Sequence, residues 1–232
     1  MMISPSKSRS ISVVLLAGGI GTRTGADIPK QFLPLGGIPI VLHSFHLFTS
    51  IPDILEIVVV CDVPFRIHFP DLLNPRISFA MPGERRQDSV WNGFCACDPQ
   101  ADLICIHDGA RPLLVKEDLL SLLAAAREHR AAALAVPVKQ TIKQANELGF
   151  VENTLDHSNL WEMHTPQVIA SDLLRKGFEI AAKNHITVTD DVALIELLHH
   201  PVKLVRGEER NLKVTTPIDL TIAETLLTAE KS

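Results

Sequence analysis

The chain has 232 residues, with 22 Lys+Arg against 27 Asp+Glu and a formal net charge of −5. Hydrophobic residues make up 46% and charged residues 21%, enough apolar material for a sizeable core, which excludes a disordered chain. The weak acidity gives no electrostatic footprint for duplex nucleic acid, and no apolar run reaches the ~18 residues of a membrane span, so neither is expected as a partner.

At roughly 150 residues per domain, the length fits one domain, alone or with an appendage. The first ten residues, MMISPSKSRS, are polar and basic and read as a frayed start with no targeting signal. Ile11–Leu16 (ISVVLL), Ile57–Cys61 (IVVVC), Leu103–Ile106 and Leu134–Val138 read as buried strands, with Ile77–Met81 a weaker one. They are near-continuous apolar runs, the pattern of a parallel sheet covered on both faces. Between them lie helical patterns over Val41–Phe48 and Leu119–Ala126, the latter preceded by Glu117 and Asp118, where the helix dipole favours acids. Ser171–Lys183 is expected to open on a capping Ser-Asp pair. The last helix has Thr216 as cap, Pro217 at its first position and Asp219 at its third. Alternating strands and helices predict a doubly wound α/β sheet.

Lys139–His157 breaks the rhythm. It is polar and aperiodic, and Asn146–Gly149 forms a turn between TIKQA and FVENT, so it reads as a two-stranded arm. An isolated ribbon is only marginally stable in water, so a second copy of the chain is its expected support. The four cysteines, Cys61, Cys95, Cys97 and Cys105, form no Cys-x-x-Cys pair. They read as small buried hydrophobes of a reducing, cytoplasmic protein.

Three clusters carry chemistry. After the first strand comes Ala17-Gly18-Gly19-Ile20-Gly21-Thr22-Arg23-Thr24-Gly25, then Pro29-Lys30. Such glycines let backbone N–H groups approach an anion, and Arg23 and Lys30 add permanent cations; the alternative is a surface loop with solvated charges. It is neither a Walker A loop nor a dinucleotide fingerprint, which disfavours a dehydrogenase. Pro82-Gly83-Glu84-Arg85-Arg86-Gln87-Asp88-Ser89 lies at a strand-to-helix junction, either a ligand contact or a helix cap with charged first-turn residues. His107-Asp108-Gly109-Ala110-Arg111-Pro112 puts an acid at the carboxyl edge of the sheet. There Asp108 can hold a divalent cation and Arg111 can clamp a phosphate, or the two can form a buried structural pair. Later, Thr189-Asp190-Asp191 reads as a helix cap from spacing alone. Lys213, inside the apolar run Leu212-Lys213-Val214, must reach water or an anion.

Together these clusters resemble the 2-C-methyl-D-erythritol 4-phosphate cytidylyltransferases, CTP-using enzymes of the non-mevalonate isoprenoid pathway. The likeness runs from Val13 to about Ala229 and includes Asp88-Ser89-Val90, Thr165-Pro166-Gln167, Thr189-Asp190 and Lys213-Val214-Thr215. It implies one nucleotidyltransferase domain over 1–232, a Rossmann-like, mostly parallel sheet with helices on both faces, and a protruding β-arm at about 139–157 that interlocks a homodimer. By this resemblance Ala17, Gly18, Gly19, Gly83 and Ser89 hold the cytidine. Arg23, Lys30 and Lys213 contact the phosphates, and Asp108 positions Mg²⁺. Thr141 from the partner's arm, with Arg111, Thr165 and Thr189, shapes the pocket for the polyol phosphate. The family has an arginine where this chain reads Asp156-His157-Ser158, so the acceptor-phosphate contact is expected to fall to His157. Close relatives use other polyol phosphates such as ribitol 5-phosphate. A non-catalytic nucleotide-binding module is the reading from another class, and it would tolerate loss of Lys30.

Overall fold

A computed structural model describes residues 10–19, 28–70 and 73–229. Its strands are β1 (Ile11–Leu16), β2 (Pro34–Leu35), β3 (Ile38–Pro39), β4 (Ile54–Val60), β5 (Ile77–Ala80), β6 (Leu103–Asp108), β7 (Ala131–Pro137), β8 (Lys143–Ala145), β9 (Val151–Thr154), β10 (Trp161–Ala170) and β11 (Lys203–Arg206). The helices are α1 (Ile40–Thr49), α2 (Arg86–Ala96), α3 (Lys116–His129), α4 (Ser171–Lys183), the short α5 (Ala193–Glu196) and α6 (Pro217–Ala229). Seven strands form one sheet in the order β11-β7-β10-β6-β1-β4-β5. β10 is antiparallel to both neighbours, β6 and β7, and every other pairing in the sheet is parallel.

Every residue of β1 and β6 is buried, because helices cover both faces. Gly93 of α2 lies so close to Val14 and Val60 that a Cβ there would overlap both side chains. Side chains alternate across a strand, so His107 points to the opposite face from Val14's partner Ile106. There it meets Phe48 of α1, ring centroids 5.3 Å apart. The expected doubly wound sheet is therefore present. Among the described residues, no helix is long and apolar enough to cross a membrane.

The structure corrects several details. β10 interrupts the parallel order. Ala131–Ala133, left outside the expected fifth strand, are buried strand residues, and Ile54–Glu56 extend β4. α4 does not begin on a Ser-Asp cap: Ala170 is its cap residue and Ser171 its first helical residue. α6 begins as expected, with the Asp219 amide donating to Thr216 Oγ1 and Asp219 Oδ2 accepting from the Thr216 amide. The arm is a two-stranded ribbon of β8 and β9, with Gly149 at φ +81° in its turn. Three cysteines are buried, but Cys95 is exposed. Burial pushes the Cys61 thiol up to about 11.

Candidate active site

At the carboxyl ends of β1, β5 and β6 opens a cleft of about 620 Å³, lined by Gly18, Gly19, Lys30, Gly83, Arg86, Ser89, Asp108 and Lys213 among others. Each wall has a local cause. The Ala17 amide donates to the Val60 carbonyl, carrying the ladder one residue past β1. At Gly18 a Cβ would stand 2.4 Å from Pro82 Cβ, so only glycine lets the two edges of the cleft approach this closely. Gly83 is similarly confined, a Cβ there falling 2.4 Å from Asp88 Cβ. Its amide donates to Ser89 Oγ at 2.9 Å, and the Ser89 hydroxyl donates to the Arg85 carbonyl. Asp88 caps the start of α2 by accepting from the Arg85 amide and from the Arg85 guanidinium, so the second cluster is a helix cap as well as a cleft wall. Phe32, 4% exposed and stacked on Phe65, anchors the short 3-10 turn that presents Lys30.

Asp108 stands at the centre. Its Oδ1 accepts from Arg86 Nε at 3.0 Å and its Oδ2 from Lys213 Nζ at 2.6 Å. Burial opposes its ionisation, but the charges of Arg86 and Lys213 outweigh it and hold the carboxyl well below the usual carboxylate range. Lys213 arrives there because the Val214 amide donates to the Ala110 carbonyl, just beyond β6. Val214 is itself buried in a small cluster with Leu35, Ile40, Leu113 and Ala223 of α6. Of the two outlets expected for Lys213, water or an anion, it takes the anion, Asp108. Arg86 also donates from both terminal nitrogens to Asp191, at 2.9 and 2.8 Å, and so bridges two carboxylates.

Beneath the cleft lies a buried bracket. His107 Nε2 sits 3.1 Å from the Arg111 carbonyl, which can only accept, so that nitrogen carries the proton. Nδ1 then accepts from the Thr165 hydroxyl at 3.2 Å, and Thr165 Oγ1 accepts from the Asp108 amide at 3.0 Å. Burial pushes the His107 imidazole down to about 4, so it is neutral at pH 7. Arg111 does not pair with Asp108: its terminal nitrogens donate to the carbonyls of Asn211 and Met163, and Asn211 donates to the Thr165 carbonyl.

This network predicts an acid-side loss of stability. Between pH 6.5 and about 4 the unfolded chain takes up a proton on His107 that the native state refuses. The unfolded state binds more protons in that window, so stability falls as pH falls through it. His164, pushed down to about 4 by burial and by the Arg111 charge, adds to the same loss. Thermal unfolding from pH 7 to pH 4 should show a smaller drop in Tm for His107→Gln than for the wild type. Parallel curves would contradict this.

The comparisons with known proteins fit this geometry. The family model described as 2-C-methyl-D-erythritol 4-phosphate cytidylyltransferase (IspD) matches residues 11–229. The chain belongs to that family. The "2-C-methyl-D-erythritol 4-phosphate cytidylyltransferase, chloroplastic" of Oryza sativa subsp. japonica is 50% identical over 224 residues, 95% of this chain and 75% of that one. The Chlamydia pneumoniae protein of the same name is 44% identical over 216 residues, covering 93% of this chain and 98% of its own. Among solved structures, 4-diphosphocytidyl-2C-methyl-D-erythritol synthase from Anaerococcus prevotii superposes with a TM-score of 0.85 at 27% identity, covering 95% of this chain and 97% of that one.

Of the residues that the cytidylyltransferase resemblance singled out, the cleft gathers Gly18, Gly19, Lys30, Gly83, Ser89, Asp108 and Lys213, with Ala17 beside them in the chain. Arg23 lies outside the described residues. Arg111 and Thr165 are 8% and 4% exposed and serve the bracket below the cleft. Thr189 is exposed next to Asp190, and Thr141 and His157 are exposed at the base of the arm. Arg86, Asp191, Gln167 and Asn211 were given no part in the site by the sequence. Arg86 stood in a quoted motif, but only the fold tells it from Arg85. Asp191 was read as part of a cap, which Asp190 alone supplies by accepting from the Ala193 amide.

Proposed function

We propose that this cleft joins CTP to 2-C-methyl-D-erythritol 4-phosphate, giving 4-diphosphocytidyl-2-C-methyl-D-erythritol and pyrophosphate. The observation that carries this reading is the placement of Arg86 and Lys213 on a single carboxylate, Asp108, in a cleft that Lys30, Gly18 and Gly19 also line at the sheet edge. A phosphate oxygen of the acceptor attacks the α-phosphorus of CTP in line. The bond from that phosphorus to the bridging oxygen breaks, and the electron pair leaves with pyrophosphate. The nucleophile is already an anion, so the site needs alignment and positive charge rather than a general base. That agrees with a buried histidine, His107, kept neutral and occupied in the bracket.

The residues fit one Mg²⁺. Magnesium in such sites takes one or two carboxylates plus substrate phosphates, and Asp108 is a carboxylate at the cleft centre with lone pairs beyond those used by Arg86 and Lys213. Bound there, the ion would neutralise phosphate charge. Lys30 and Lys213 would hold the triphosphate, while Gly18, Gly19, Gly83 and Ser89 would frame the cytidine.

The arm supports a homodimer in this reading. Leu148, Phe150 and Val151 are 82%, 68% and 63% exposed on it, more apolar surface than a lone ribbon keeps in water. A second copy packed there would bring its Thr141 and His157 to the acceptor. Light scattering at micromolar concentration should return a dimer, and a monomer would contradict this arrangement.

Pyrophosphate release from CTP, measured with a panel of polyol phosphates, tests the function. Release with methylerythritol phosphate, abolished by excess EDTA, is the expected result. Release only with ribitol 5-phosphate, or none with any acceptor, would overturn it.

A further inference from the structure

We propose that Gln167 is a positioning residue of this reaction, clamping Asp190-Asp191-Val192 so that Asp191 holds Arg86 against Asp108. The proposal rests on the cytidylyl-transfer reading above. Gln167 is 1% exposed on β10 and does not line the cleft. Its Oε1 accepts from the backbone amides of Asp191, at 2.9 Å, and Val192, at 3.0 Å. Its Nε2 donates to Asp190 Oδ2 at 3.2 Å and to the His164 carbonyl at 3.3 Å. Both lone pairs and both hydrogens of the amide are used. The orientation is forced: turned over, the NH₂ would face two N–H donors and the oxygen would face a carboxylate and a carbonyl.

The clamped segment leads straight to the reacting centre. Asp191, 2% exposed, takes both terminal nitrogens of Arg86, whose Nε reaches Asp108. From the other side Gln87 of α2 accepts from the Val188 amide and donates to the Ile186 carbonyl, steadying the approach to the segment. A guanidinium shared between two carboxylates can tilt toward either. Fixing the Asp191 backbone fixes which way it tilts, and with it the direction of the Asp108 lone pairs. No other side chain of this length offers two acceptor sites and two donors. Glutamate keeps the acceptor but sets an anion against Asp190 and the His164 carbonyl.

The test is steady-state kinetics on the full-length protein, with thermal unfolding in parallel. Gln167→Glu should lower kcat roughly 10–100-fold, the kinetic equivalent of losing a hydrogen bond to a charged group, with the KM for CTP within about two-fold of wild type. Gln167→Glu/Asp190→Asn reverses the bond, the new amide donating to the new carboxylate, and should recover most of the loss relative to Asp190→Asn alone. A residue that merely stabilised the fold would show no such reciprocal rescue. Wild-type kcat in Gln167→Glu, a double variant no better than the single, or kcat and the KM for CTP impaired together would overturn the proposal. Should Gln167→Glu not fold, Gln167→Met, similar in volume without the donors, is read in its place: lowered kcat at unchanged KM for CTP supports the clamp, and wild-type kcat refutes it. Wild-type turnover in the same assay separates failure of this proposal from failure of the functional reading.

Discussion

Lys213→Ala is expected to lower kcat by roughly 10²–10³ while leaving the protein folded. The ammonium sits 2.6 Å from Asp108 Oδ2, on the cleft wall, half-exposed and held by the Val214–Ala110 backbone bond rather than by its own packing. Removing it takes one preorganised cation from the site where charge shifts onto the leaving pyrophosphate. The cluster around Val214 stays intact, so stability should change little. Lys213→Arg keeps the charge but replaces a compact ammonium by a wider, planar fork, and should recover only part of the rate. Lys30→Ala should show a loss of similar size for the same reason. A kcat within a few-fold of wild type in folded Lys213→Ala would remove this residue from the catalytic account.

Arg86→Leu should be strongly destabilising, at about 3–5 kcal/mol, because it leaves Asp191 buried without its countercharge. Asp191 is 2% exposed and takes two N–H donors from Arg86, so its carboxylate would face the core alone. Asp108 would keep Lys213 and suffer less. Denaturant unfolding checks the size of the effect. The double variant Arg86→Leu/Asp191→Leu removes both charges and should regain a large part of the lost stability while remaining a poor enzyme. If Arg86→Leu were nearly as stable as wild type, Asp191 would not depend on Arg86 as its buried countercharge.

The contrast between β6 and β10 shows how far the sequence could be read. Leu103–Ile106 is an uninterrupted apolar run, and a central strand covered on both faces needs nothing else. β10 occupies an equally central place, yet it reads WEMHTPQVIA. Its proline lacks an N–H, and proline inside an apparent strand argues against the assignment. The ladder to β7 lapses between Met163 and Gln167, which is where Pro166 sits. The polar residues around it, Thr165 and Gln167, point to the bracket and the clamp instead of into an apolar core. Local pattern therefore hid the strand because that strand carries part of the site. β11 was hidden differently, as a four-residue edge strand without full burial.

The site divided in the same way. Gly18, Gly19, Asp108 and Lys213 were legible because each stands out locally: clustered glycines after a buried strand, an acid at a strand's end, a lysine within an apolar run; Lys30 was legible as a cation added to the glycine loop. Arg86 and Asp191 do not stand out. Each is an ordinary charge near a helix end, and their pairing across 105 positions exists only once α2 and the segment after α4 are folded together. Arg111 was legible as a cation in the His107–Pro112 cluster and Thr165 only by resemblance, but their hydrogen bonds place them beneath the cleft, where they orient Asp108 through its amide and through Asn211.

The central claim, that an acceptor phosphate takes the cytidylyl group at its α-phosphorus, is tested most directly by following label from CTP. With α-³²P-CTP and methylerythritol phosphate, the label should appear in the diphosphocytidyl product. With γ-³²P-CTP it should appear in pyrophosphate alone. Label from the γ position in the acceptor, or α-label recovered only as CMP or unchanged CTP, would contradict the account.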